Sequence, residues 1–156
     1  MTFEKTARGS YGARLPGMSS PPAKWANRMM IRRFRRKGSG RGMGMDMLVL
    51  TTTGARSGQR RETLLGVFPD GDGAWLIIAS AAGSVANPAW YHNIAAHPDQ
   101  VEIELGGKKV KVTATQLEDA DREDAWRKIT SAQPRYAGYA TKTDRVIPVL
   151  RLVADR

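Results

Sequence analysis

"MLVLTTTGARSGQRRETLLGVFPDGDGAWLIIAS", residues 47–80, decides the fold. Apolar and β-branched runs at 47–53 and 62–68 flank a basic, glycine-containing loop at 54–61. The second run ends at "PDGDG" (69–73), a strong hairpin signal, and a third run at 74–80 is apolar enough to be a central strand. Three strands joined as consecutive hairpins lie antiparallel in one sheet.

Downstream the β texture continues. "AAGSVANP" (81–88) reads as a loop, with Asn87 as N-cap and Pro88 in the first turn of a helix, "PAWYHNIAAH", that His97-Pro98 stops. Residues 100–118 alternate Val101, Ile103 and Leu105 with glutamates, turn at Gly106-Gly107, and return with Val110 and Val112 among lysines. This is a half-exposed hairpin whose opposite charges can pair across strands. Asp119 caps a helix with acids early and Arg127 and Lys128 later, a tyrosine-bearing segment follows at 134–145, and 146–153 is the last strand. About six strands arranged as hairpins, with no βαβ alternation, predict an α+β fold. A small closed or split β-barrel with flanking helices suits it, because closure removes sheet edges.

Upstream the chain changes character. Residues 1–23 carry Gly, Ser and Pro21-Pro22 without an apolar period and read as a flexible lead-in; 24–37 is an N-terminal helix, and "GSGRGMGMD" (38–46) a connector. The net charge of +10 is local: residues 1–42 hold 11 Lys/Arg and one acid, whereas the remainder holds 14 of each. The expected organisation is therefore a basic arm with its helix, 1–42, and a barrel domain, 43–156. No apolar run approaches the roughly 18 residues of a membrane-spanning helix, and the first 20 residues do not form a signal peptide. A cytoplasmic location is expected. The absence of cysteine excludes disulfides and thiol nucleophiles.

The chemistry concentrates in three places. The loop "TGARSGQRRE" offers Arg56, Arg60 and Arg61 with Ser57 and two glycines, a composition suited to a phosphate or carboxylate, although a basic hairpin loop need hold no ligand. It is neither a Walker A loop nor a Rossmann turn, lacking the lysine of the first and the following helix of the second. The loop before the 88–97 helix is a second place for anionic or carbonyl oxygens. His92 and His97 are five apart and lack a third ligand, so no metal is expected. Tyr136 and Tyr139 pack together or lid a flat ligand. No triad, paired carboxylate or activated nucleophile emerges, so any reaction here needs a cofactor to carry it.

Together "LTTTGARSGQRR", "DGDGAWLIIASAAGSVANPAWYHNIAAHP" and "PRYAGYATKTDRVIPVL", in that order and spacing, resemble the deazaflavin-dependent nitroreductase family, over about Trp25 to Val153. The resemblance implies a split β-barrel of the flavin-binding type and hydride transfer from reduced coenzyme F420 to quinones or nitroaromatics. It implies that Thr53, Gly54, Arg56, Ser57, Gly58, Arg60 and Arg61 hold the cofactor's phosphodiester and glutamate arm. It puts Asn87, Pro88 and Trp90 in the wall, Ala79 and Ser80 beside the ring, and Tyr136 and Tyr139 at the acceptor, so that Ser80 and the two tyrosines flank the reacting atoms. Ala55 and Ala81 stand where relatives often carry a basic residue, and Gln133 stands at a family tyrosine position. Arg60 and the N-terminal arginines are the alternative grip on the arm. Two other readings are a non-catalytic deazaflavin carrier and a peripheral binder of anionic membrane or nucleic acid through the basic arm, nucleic acid being the less expected partner.

Overall fold

The computed structural model describes residues 3–13, 21–37, 41–42 and 45–155. Helix α1 (Pro21–Arg36) precedes β1 (Arg41–Gly42), β2 (Met45–Thr53), β3 (Arg60–Gly66), β4 (Phe68–Pro69) and β5 (Ala74–Ile78). A short turn at Ala81–Gly83 leads to α2 (Ala89–Ala96), β6 (Val101–Leu105), β7 (Lys108–Gln116), α3 (Asp119–Ala132), α4 (Arg135–Thr141) and β8 (Val149–Ala154). Most of the 38–46 connector lies outside the described residues, as does Arg14.

All strand pairs are antiparallel, in the order β1-β2-β6-β7-β8-β5-β4 with β3 on the other edge of β2. Only Val67 separates β3 from β4, and its N–H donates to Asp46 O at 2.9 Å. That bent strand pairs with β2 at one end and β5 at the other, so the sheet curls round on itself as a split barrel. The expected six strands are β2, β3 with β4 as one, β5, β6, β7 and β8; the two-residue β1, within the connector, is additional.

Burial explains why residues 47–50 show no alternation. Leu48 and Leu50 point into the barrel with Ile77, Ile103, Leu150 and Leu152, while Met47 and Val49 pack outward beneath Ile31 and Phe34 of α1. A strand covered on both faces has no polar side to display. On β5, likewise, Ile77 faces the barrel interior and Leu76 and Ile78 face a second core built with Ile129 of α3 and Tyr136 of α4. The β6–β7 hairpin keeps its alternation because only one face turns inward, with Val101, Ile103, Val112 and Ala114 buried and Leu105 and Val110 packed beside them. Its register sets Glu102 opposite Lys111 and Glu104 opposite Lys109. Nonetheless, among the described residues its ion pairs run elsewhere: Arg60 reaches Glu102 at 2.9 Å and Arg35 of α1 reaches Glu104 at 3.2 Å. The planar guanidinium fork outcompetes the more strongly hydrated ammonium for these carboxylates.

Three local expectations are corrected. Helix α1 starts at Pro21, since proline is tolerated in a first turn. Helix α2 is preceded by Pro88 as its N-cap, with no side-chain cap bond, because the Asn87 amide is used elsewhere. Finally, residues 3–13 are no loose lead-in: they lie against the barrel, tied to Val85, Gly83, Tyr91 and Asp144.

Candidate functional site

The basic loop is a tight turn rather than an open cradle. Gly54 N donates to Gln59 O at 2.7 Å, Gly58 N to Gly54 O at 3.0 Å, and Gln59 N to Ser57 Oγ at 3.2 Å. Gly58 has φ of 70°, which its lack of a Cβ permits without strain. Ala55 N donates to Asn93 Oδ1 at 3.0 Å, and Asn93 Nδ2 to Thr52 Oγ1 at 3.2 Å, so a side chain of α2 pins the turn to the barrel. The glycine N–H groups are thus spent on the turn itself. What the turn presents outward is the guanidinium of Arg56, while the Ser57 hydroxyl, accepting from Gln59 N, keeps its own proton to donate. Arg60 and Arg61, expected in the loop, lie in β3 opposite Thr53 and Thr52.

These groups border a cavity of about 1360 Å³ between α1, the turn and α2. Gly54, Arg56, Ser57, Arg60, Arg61 and Trp90 all line it. So do Lys24, Arg28, Arg32 and Arg35 from α1, and Phe3 and Lys5 from the N-terminal segment. Among the described residues Arg35 is committed to Glu62 and Glu104, and Arg60 to Glu102. Among the described residues Lys5, Lys24, Arg28, Arg32, Arg56 and Arg61 have no carboxylate partner, and Glu62 is the only acid in the wall. Eight cations about one acid make the cavity strongly electropositive. Its imprint falls on His92, whose pKa is lowered first by burial and then by the charge of Lys5.

The other expected site residues gather at a second place. Ala79 and Ser80 lead into a turn in which Ala81, Ala82 and Gly83 have φ of 44°, 53° and 82°. Two alanines in the left-handed region cost about 1–2 kcal/mol each. Arg145, only 4% exposed, holds this turn on both sides: its Nη1 donates to Ala79 O at 3.0 Å, Nη2 to Ser80 O at 2.7 Å, and Nε to Ser84 O at 3.0 Å. Nη1 also meets Asn87 Oδ1 at 2.5 Å. No carboxylate pairs with Arg145 among the described residues, and desolvation lowers its pKa. Helix α4 backs the turn, with Tyr139 O close to Gly83. Tyr136 is buried against Phe68 and Tyr139, its hydroxyl 3.5 Å from Met45 Sδ, and burial raises its pKa. Ala79, Ser80, Asn87, Pro88, Tyr136 and Tyr139 do not line the cavity, although Pro88 directly precedes the Ala89 and Trp90 that do.

Sequence reasoning missed Arg145 and Asn93; the α1 arginines it named only as an alternative grip, and four basic residues of α1 line the cavity. Asn93 had a visible signal, closing the N-P-x-W-Y-x-N motif. Among the described residues no cluster of acids and histidines could hold a metal, and no helix is long and apolar enough to cross a membrane.

The family model of the F420H(2)-dependent quinone reductases matches residues 25–154. The chain belongs to this family. It is 44% identical over 108 residues to an F420H(2)-dependent quinone reductase of Mycobacterium tuberculosis, a match covering 67% of this chain and 71% of the relative. The structure of an F420-H2 dependent reductase, FDR-A, aligns with TM-score 0.61 at 39% identity, over 68% of this chain and 92% of that one. A further solved structure, described as a domain-swapped dimer, aligns with TM-score 0.64 at 35% identity over 84% and 98%. Membership in the F420H(2)-dependent quinone reductases makes this an oxidoreductase with reduced F420 as hydride donor and a quinone as acceptor. The cavity suits such a cofactor on its own chemistry. A phosphodiester and a glutamate tail are polyanionic, and the wall supplies six cations free of carboxylate partners among the described residues, a hydroxyl and ample volume.

Proposed function

We propose that the cavity takes the anionic arm of F420, with Arg56, Ser57 and Arg61 as its first grip and Arg28 and Arg32 of α1 as the second. The observation that carries this reading is the excess of eight cations over one acid around a cavity of about 1360 Å³ among the described residues. Thr53, Gly54 and Gly58 act through the shape of the turn, and Arg60 contributes charge while held by Glu102. Trp90 forms the wall between this cavity and the Ala79–Ser80 turn, beside which the ring belongs, and Asn87 and Pro88 fix that wall. Tyr136 and Tyr139 border the acceptor. In this reading residues 1–42 are a gripping arm and 43–156 the barrel.

The bound cofactor supplies the hydride. The chain orients donor and acceptor, excludes water with the apolar second core in which Tyr136 is buried, and offers Ser80 and the Tyr139 hydroxyl as hydrogen-bonding groups near the reacting atoms. With Gln133 in place of a family tyrosine, quinones are the better acceptors and nitroaromatics the poorer. The test is direct. Oxidised F420 should change fluorescence on mixing with the protein, and reduced F420 with menadione should be oxidised. Failure to bind sinks the reading; binding without turnover converts the protein into a carrier.

A second role rests on α1. Its outer face exposes Trp25 (64%), Met30 (53%) and Met29 alongside Arg33 and Arg36. An aromatic and two methionines among cations fit an anionic membrane surface, where each cation adds about 1 kcal/mol, and such contact would bring a lipid-soluble quinone within reach. Vesicles containing phosphatidylserine should cosediment the protein. A Trp25→Ala, Arg33→Ala, Arg36→Ala variant should stay in the supernatant, and equal sedimentation would reject the role.

A further inference from the structure

The N-terminal segment runs across the barrel as a strap. Phe3 packs edge-on against Tyr91, with ring centroids 5.8 Å apart, and Glu4 O accepts from Gln116 Nε2 at 2.8 Å. Thr6 N donates to Tyr91 Oη at 2.8 Å, and Thr6 O accepts from Asn87 Nδ2 at 3.0 Å. Further along, Gly9 N donates to Val85 O and Ala13 N to Gly83 O, both at 2.9 Å. Asp144 Oδ1 accepts from Ser10 N at 2.8 Å, and Thr143 Oγ1 donates to Tyr11 O at 2.7 Å.

Two features make this a built interface rather than a chance lie of the chain. Gly12 sits so close that a Cβ there would be 2.4 Å from Val85 N and 2.7 Å from Gly83 O, and one at Gly9 would be 3.0 Å from Arg145 N. The strap also bridges both parts of the site: Phe3 and Lys5 line the cavity, while residues 9–13 rest on 83–85 and 143–145, which Arg145 joins to Ala79 and Ser80.

We infer that residues 3–13 are a detachable wall of the cofactor site, latched through Gly9 and Gly12, and that Lys5 on this wall contacts the bound anionic arm. Latching and binding then stabilise each other, because a guest that touches only the latched wall must favour the latched state by the same factor that latching favours the guest. Residues 83–85 and 143–145 are the docking seat, and Asn87 links the wall to the Ala79–Ser80 turn. The inference rests on the proposed placement of F420 in the cavity.

The experiment is limited trypsin digestion of the full chain, following cleavage after Arg8, combined with fluorescence titration of oxidised F420. Saturating F420 should slow cleavage in the wild type at least about fivefold, the lower end of ordinary coupling between sites. Gly12→Ala should be cut rapidly with or without F420 and should bind it about tenfold more weakly. Lys5→Ala, which leaves the latch intact, should keep the slow cleavage of the unliganded wild type and lose about three- to fivefold in affinity. Arg56→Ala separates the two readings. If Arg56→Ala weakens binding but Gly12→Ala and Lys5→Ala bind as the wild type does, the wall is not part of the site and this inference alone is overturned. If the wild type does not bind F420, the cavity assignment falls and takes this inference with it.

Discussion

Arg145→Met is expected to lower folding stability by about 3 kcal/mol or more, read as a drop in urea midpoint with an unchanged slope. The methionine fills much of the same volume, so the loss is not a cavity effect. Four oxygens, from Ala79, Ser80, Ser84 and Asn87, lose their donor, and each buried acceptor stripped in this way costs about 1–3 kcal/mol, partly recovered where water enters. The guanidinium also holds Ala81 and Ala82 in the left-handed region from both sides. Without it the turn relaxes toward ordinary backbone, and the Ala79–Ser80 edge moves with it. Arg145→Lys keeps the charge but has no planar fork to span oxygens on both sides of a turn, so it should recover less than half of the loss. Ala82→Gly supplies the converse, because removing its Cβ relieves the left-handed conformation with the clamp in place. It should be neutral or stabilising by up to about 1 kcal/mol. A variant Arg145→Met as stable as the wild type would show that the clamp is ornamental.

The same residue marks where sequence reading stops. Strand positions were legible because burial leaves a periodic or continuous apolar trace, and the hairpin turns carry their own chemistry at Asp70–Gly73 and Gly106-Gly107. The arginine-rich turn was legible as composition. Its inner wiring was not: the glycines close the turn on itself, and Asn93, 38 residues away, holds it. Nothing local distinguishes Arg145 from the surface arginines of a basic chain, since its burial is created by the 79–87 segment folding over it. The strap was misread for a related reason. Gly9, Ser10 and Gly12 look like flexible linker, yet here small residues permit close backbone approach, and the partners that pay for that order lie at 83–91 and 143–144. Contacts of long sequence separation are invisible to composition.

Arg56→Ala and Arg61→Ala should each weaken F420 binding by about 1.5–3 kcal/mol, the range for a charge-assisted hydrogen bond, or roughly 10- to 150-fold. These two are chosen because neither has a carboxylate partner among the described residues, so neither guanidinium must abandon an internal ion pair to serve the ligand. Arg60 is the internal contrast. It is tied to Glu102 at 2.9 Å, and its removal both subtracts a cation and frees a carboxylate beside the cavity. The freed charge repels the arm at longer range, so Arg60→Ala should weaken binding less than tenfold and with a stronger dependence on salt, because screening acts on exposed, separated charges more than on direct contacts. Ala55, exposed on the same turn and lining the cavity, allows the reverse experiment. Ala55→Lys adds a cation without touching the turn, whose bond to Asn93 comes from the backbone N–H. Affinity should rise about three- to fivefold, the modest gain of one exposed ion pair. Fluorescence titration of oxidised F420 across these four variants reads the pattern in one series. A strong loss at 56 and 61, a weaker and salt-sensitive loss at 60, and a gain at 55 locates the arm on this turn, whereas equal effects at all four positions would mean that the cavity acts only as a diffuse positive field.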